Sequence, residues 1–342
     1  MLRPPPASSL VHFPVTAGTA LLAIALTGAI WFGVDVSPLL ITSTWPTEPW
    51  RVLGATLLHG GLLHLAFNLY WVWVFGSFLE QKIGSLRLGL MMLAFAVGSM
   101  LAETAFLSGG VGLSGVVYGL FGFLWALNRH DPHQWYAVDR ATAQLFVGWF
   151  FLCILLSASD ILPVANIAHG AGAGLGVLLG LAWRARRRLR LFWSAAFGLA
   201  LAASLALASP PLRPLVSFSP RYAAELAIRG YKAYEAGRED EAIRLLRQAA
   251  RIDPKSGEYW SSLAVMEEVA GHLDQAKRAR QELTRLGGAI YVDSAPATQP
   301  DDFGDDIVPL GPGPRTQPSS GPAPRSQPQS QVAPPSGRVD GR

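Results

Sequence analysis

Seven stretches of mostly apolar residues, near 16–34, 57–79, 88–107, 111–127, 142–159, 163–183 and 191–209, constrain this chain more than any other feature. Each is close to the ~20 residues that a helix rising ~1.5 Å per residue needs to cross a ~30 Å hydrocarbon layer. A backbone in lipid must satisfy its own hydrogen bonds, so segments of this kind fold as helices. The expected class is all-α, a polytopic membrane bundle. Composition agrees, since half of the 342 residues are hydrophobic and only 15% are charged, too apolar for an ordinary soluble domain. The first stretch has one arginine before it, Arg3, and no small-residue cleavage site after it, so it is expected to be a span and not a signal peptide.

The loops give a direction. Lys82 and Arg87 follow the second span, Arg129 and Arg140 flank the loop after the fourth, and Arg184, Arg186, Arg187, Arg188 and Arg190 follow the sixth. The alternate loops carry almost nothing basic apart from Arg51. Positive loops stay inside. The N-terminus is therefore expected in the cytoplasm and the region after the seventh span outside it, in a bacterial-type cell membrane. The net charge of +4 is modest and implies no nucleic-acid partner. The single cysteine, Cys153, excludes an intramolecular disulfide or a cysteine metal cluster and reads as a packed core residue.

One imidazole interrupts the sixth span, His169 in "VANIAHGAGAGLGVLLG". A titratable group inside a bilayer costs a few kcal/mol or more, so it calls for a partner. The fourth span offers Ser114, in "VGLSGVVYGLFGFLWALNR". Ser114 lies 15 residues before Arg129, and His169 lies 15 residues before Arg184. Both side chains are therefore ~22 Å above the inner face, roughly 8 Å below the outer one. Gly172, Gly176 and Gly180 make a stripe on one helix, and Gly115 and Gly119 a similar one on the other. Small residues at this spacing let helix backbones approach. A serine hydroxyl becomes a nucleophile when a neighbouring imidazole takes its proton. His64 and Asn68, four residues apart on the second span, share a face near that depth and are suitable donors to a developing oxyanion, as is the Ser114 amide. His59 is expected nearer the membrane surface, supporting the loop above.

"HGGLLHLAFN" at 59–68, "GLSGVVYGLFG" at 112–122 and "ANIAHGAGAGLG" at 165–176, with Trp50-Arg51 before them and Glu80 closing the second span, resemble the rhomboid intramembrane serine proteases. GxSG alone is a weak signal. With the HxxxxHxxxN run and AHxxG, each in its own span, it is a strong one. The resemblance covers about residues 16–185 and implies a Ser114/His169 dyad with no carboxylate member and no metal or organic cofactor. It implies an oxyanion site from His64, Asn68 and the Ser114 amide, supported by Gly112, and a Tyr118 ring packed against His169. Gly172 and Gly176 pack helices, Trp50 and Arg51 belong to a membrane-edge loop, and Glu80 is a structural hydrogen-bonding residue. Substrates would be single-span membrane proteins cut in or near the span. The alternatives are a non-proteolytic quality-control adaptor of the same fold, against which the presence of both Ser114 and His169 counts, and a transporter. A transporter would need polar residues continuing to the inner face, whereas Glu103 too lies near an outer end.

The expected organisation is a short cytoplasmic N-terminus (1–15), a six-helix rhomboid core (16–185), a basic loop with one extra transmembrane helix (186–209), a Pro-rich linker (210–222), a small α-hairpin repeat domain (223–290) and a tail (291–342). Units 223–256 and 257–290 each span 34 residues and resemble tetratricopeptide repeats. Two repeats are marginal alone, so they are expected to pair with their own copy in a dimer or with another protein. The tail is rich in Pro, Ser, Gln and Gly, a composition that predicts disorder.

Overall fold

The computed structural model describes residues 5–129, 133, 138–159 and 161–287; the tail lies outside them. Among those residues the chain is all-helical. The bundle contains α1 (Pro14–Trp31), the short α2 (Trp50–Leu57), α3 (Leu62–Ile83), α4 (Ser85–Phe106), α5 (Ser114–Asn128), α6 (Arg140–Ala158), α7 (Asn166–Arg184) and α8 (Arg187–Leu207). A single turn, α9 (Arg213–Val216), leads to α10 (Pro220–Glu235), α11 (Glu239–Ile252), α12 (Gly257–Val269) and α13 (Leu273–Arg285).

Five of the described helices, α1, α3, α4, α6 and α8, are long and apolar enough to cross a membrane. The protein is accordingly an integral, multi-pass membrane protein. Helix α5 has only 15 residues, ~22 Å of rise against a ~30 Å layer. It starts at Ser114 and not at Val111, because Gly109 and Gly112 adopt φ of 79° and 114°, outside any helix. Helix α7 likewise starts at Asn166, three residues later than the apolar run.

Position in the bundle shows in how much of each helix is buried. Of α5, all but Ser114, Trp125 and Asn128 are buried, whereas Ser204 alone is buried in α8. Helix α5 is thus the centre, packed around Phe95, Leu120, Phe123 and Leu124, and α8 leaves Leu189, Leu191, Phe192 and Leu199 facing outward, as lipid contact requires. Helix α3 passes through one turn of π-helix at Val72–Gly76, where a Cβ on Gly76 would come within 2.9 Å of Thr16. The first amides of a helix have no partner of their own. Glu80 supplies one for α1, accepting from Val15 N at 3.0 Å, Thr16 N at 2.9 Å and Thr16 Oγ1 at 2.7 Å.

After the bundle, α10–α13 form two helix pairs around Tyr222, Leu226, Leu246, Ala249, Leu263 and Ala264. Each pair turns at a left-handed glycine, Gly237 (φ 72°) and Gly271 (φ 79°), equivalent positions in the two units. The helices begin at Pro220, three residues before the expected repeat. The stretch 210–222 is packed and not a free linker: Arg213 and Tyr222 are each 1% exposed. A proline-rich composition sets backbone stiffness but says nothing about what a buried arginine finds nearby.

Candidate active site

The site is assembled by one helix contact. A Cβ on Gly172 would run into the carbonyl of Gly115, and one on Gly176 into the carbonyl of Gly119. One on Gly180 would come within 2.9 Å of the Phe123 carbonyl. Helices α5 and α7 therefore touch backbone to backbone along the glycine stripe. Ser114 is the residue before Gly115, and His169 precedes Gly172 by less than one turn, so both stand at the same end of this seam.

Tyr118, one turn after Ser114, stacks on the His169 ring with centroids 4.7 Å apart and planes at 25°. The Tyr118 hydroxyl donates to the Phe146 carbonyl at 3.0 Å, which fixes the phenol and through it the imidazole. His169 is 4% exposed, and its Nδ1 has no hydrogen-bond partner among the described residues. Among the described residues no carboxylate bonds this nitrogen, and the ring is held by stacking. Ser114 is half-buried.

The start of α7 is held from three sides. Glu103, 2% exposed at the end of α4, accepts from Ala168 N at 2.8 Å, immediately before His169. Asn166 Nδ2 donates to Ser157 Oγ at 2.9 Å. Gly110 leaves room for Ala165, whose Cβ would be 2.8 Å from a side chain placed there. Sequence reading passed over Glu103 as a site residue; its signal was a carboxylate inside an apolar span, without a visible partner.

The loop before Ser114 is held by histidines. A Cβ on Gly112 would lie 2.6 Å from His64 Cε1 and 2.8 Å from its Nε2, and the φ of 114° excludes other residues in any case. Gly112 N donates to the Ala55 carbonyl at 3.0 Å. His59 is 1% exposed; its Nε2 accepts from Leu113 N at 3.3 Å, and its Nδ1 lies 3.0 Å from the Leu57 carbonyl. One neutral tautomer, protonated at Nδ1, satisfies both contacts. It lies just before α3, which begins at Leu62, and ties the loop before Ser114 to the end of α2. The His59 and His64 rings meet edge to face at 4.9 Å. The structure thus brings His64 against the Gly112–Ser114 strand. Asn68 is buried, with Nδ2 donating to the His64 carbonyl at 2.9 Å, which leaves its second N–H.

Trp50 and Arg51 lie apart from this cluster. Trp50 is 52% exposed. Arg51 clasps the loop before it, donating to the Ser37 and Leu40 carbonyls at 2.8 and 2.9 Å and to Glu48 at 2.7 Å. Among the described residues no cluster of three or more His, Cys, Asp or Glu suits a metal ion.

The rhomboid domain family model matches residues 46–186. The rhomboid protease GlpG of Serratia proteamaculans (strain 568) is 34% identical over 185 residues, which are 51% of this chain and 64% of that protein. GlpG of Yersinia pestis (strain Pestoides F) is 30% identical over 186 residues, 52% of this chain and 65% of that protein. The chain therefore spans just under two thirds of the length of these curated relatives. Residues 46–186 are thus similar to a rhomboid domain. The matched domain ends one residue before α8, so α8 and the helix pairs stand outside it.

Proposed function

We propose that this chain is an intramembrane serine endopeptidase. The observation that carries the reading is the seam of α5 and α7, which puts the Ser114 end of one helix beside a His169 ring fixed by Tyr118. Ser114 Oγ attacks a peptide carbonyl while His169 removes its proton. The carbonyl oxygen gains negative charge and is met by the Ser114 amide, His64 and the free N–H of Asn68. His169 returns the proton to the leaving amine, and water then hydrolyses the ester with His169 again as base. With α5 starting below the outer face, the nucleophile is accessible to water only through the loop region above it.

The substrates are single-span membrane proteins, cut where the helix unwinds, since a peptide bond in a stable helix is hydrogen-bonded and hidden. The N-terminus is cytoplasmic and the helix pairs extracytoplasmic, as the basic loops 82–87, 129–140 and 184–190 support. Helices α10–α13 are tetratricopeptide-like repeats, a reading supported by the equivalent turns at Gly237 and Gly271. They bind a protein partner or a second copy of the chain.

The test is cleavage of a single-span reporter in liposomes by the wild type, Ser114→Ala and His169→Ala. Activity should fall by about a thousandfold or more in each variant. Cleavage persisting in Ser114→Ala would sink the mechanism.

A further inference from the structure

The helix pairs are joined to the loop that delivers the nucleophile. Arg213, 1% exposed, donates from Nη2 to the Leu107 carbonyl at 3.0 Å, at the outer end of that loop. The same strand, residues 106–108, takes three more contacts from the segment after α9. Phe218 N donates to the Phe106 carbonyl at 3.1 Å, Ser217 Oγ to the same oxygen at 3.4 Å, and the Ser108 and Ser219 hydroxyls bond each other. On its other side Arg213 pairs with Glu225 of α10 at 3.5 Å and lies 3.8 Å over the Tyr222 ring. Glu225 also accepts from Ser43 N at 2.9 Å, so the first outer loop joins the same cluster. From Leu107 the chain runs through Gly110, packed on Ala165, to Gly112 and Leu113, whose amides are held by Ala55 and His59, and then reaches Ser114.

A buried guanidinium is costly unless its donors are met in fixed geometry. Here Nη2 bonds one carbonyl of the site loop, a carboxylate of the helix pairs lies at ion-pair distance from Nη1 without a hydrogen bond, and one ring lies under the plane, so these three groups are all that hold the charge in place. The matched domain ends at residue 186, so every group on the C-terminal side of this contact belongs to the part of the chain outside it. We propose that Arg213 is a positioning residue for Ser114: through the Leu107 carbonyl it makes the helix pairs part of the frame that holds the nucleophile loop. The inference about the reaction rests on the protease reading above; the inference about the loop does not.

The test uses the full-length chain in liposomes and detergent, with Arg213→Met, Glu225→Gln and Ser219→Ala. Two quantities are read, kcat and KM on a single-span reporter and hydrogen exchange at the Gly112 and Leu113 amides. Arg213→Met should lower kcat by about tenfold, leave KM within about twofold, and speed exchange at both amides by about tenfold. Glu225→Gln and Ser219→Ala should move both quantities the same way by about two- to fivefold, and they decide the matter if Arg213→Met does not fold. Unchanged exchange and kcat in variants whose melting temperature alone has fallen would overturn the proposal, leaving a simple structural latch. Cleavage that survives Ser114→Ala would instead overturn the protease reading, while the exchange result still decides whether Arg213 holds the loop.

Discussion

The membrane bundle buries Glu80 and Glu103 and the helix pairs bury Glu267, and the two regions satisfy their glutamates by different means. Glu103, 2% exposed, accepts from the backbone at the start of α7, and among the described residues no basic side chain pairs with it. Glu267, 1% exposed in α12, takes Arg247 and His272, whose side chains are 43% and 46% exposed and reach in from water. In lipid a long cation has no wet end to keep, so the available positive end is a helix N-terminus, whose amides carry a partial charge and lack partners. At a water-facing module, whole charges can be brought to the edge of the core and left half in solvent. The same contrast governs the helix crossings. In the bundle, glycine meets backbone carbonyl, so Gly172 and Gly176 have no room to grow; in the helix pairs, a Cβ on Gly230 would meet Leu246 Cγ at 3.1 Å and the Ala242 carbonyl at 3.3 Å, which a shift of a few tenths of an ångström relieves.

The largest effect that sharpens this comparison should come from Gly176→Leu, which forces α5 and α7 apart. A loss of about 3 kcal/mol or more is expected, read as a collapse of the unfolding midpoint in mixed micelles. Gly230→Ala should stay within about 1 kcal/mol, since the gain in helix propensity offsets a contact that can shift. Equal losses at the two glycines would break the comparison.

Next comes Glu103→Leu, which orphans the Ala168 amide beside His169 at a cost of about 1–3 kcal/mol. Reporter cleavage should drop by about tenfold, and Glu103→Gln, which keeps an acceptor, should recover most of it. Glu267→Gln should cost about 1 kcal/mol or less, because its partners can return to water, and added salt should shrink the difference from wild type. Salt should leave the Glu103→Leu defect unchanged.

The smallest effect concerns a half-buried carboxylate. Arg51 and then Thr44 bond to Glu48 and hold its carboxyl below the ordinary value of 4.5. A group lowered on folding adds stability above its unfolded pKa, and that stability is lost as pH falls through the folded value. Melting temperatures of wild type and Glu48→Gln should therefore converge as the pH drops below about 4.5. A gap that persists in acid would assign the loop to other forces.

Much of this arrangement is legible in the chain itself. Span lengths, the glycine periods and the equal distances of Ser114 and His169 from their arginines follow from helix geometry alone. What is not legible depends on tertiary neighbours. Nothing in "LAETAF" says that Glu103 will meet the amide of Ala168, 65 residues on. "SPPLRPLVSFSP" reads as a joint because prolines are visible and a carbonyl 106 residues earlier is not.

The 15 residues of α5 also carry a consequence for the surroundings. A helix of ~22 Å is shorter than a ~30 Å hydrocarbon layer, but α5 is enclosed by its neighbours, so the shortfall is met by protein and not by lipid. Because Ser114 is the first residue of that helix, the recess above its hydroxyl is a property of the fold, carried into whatever bilayer surrounds it.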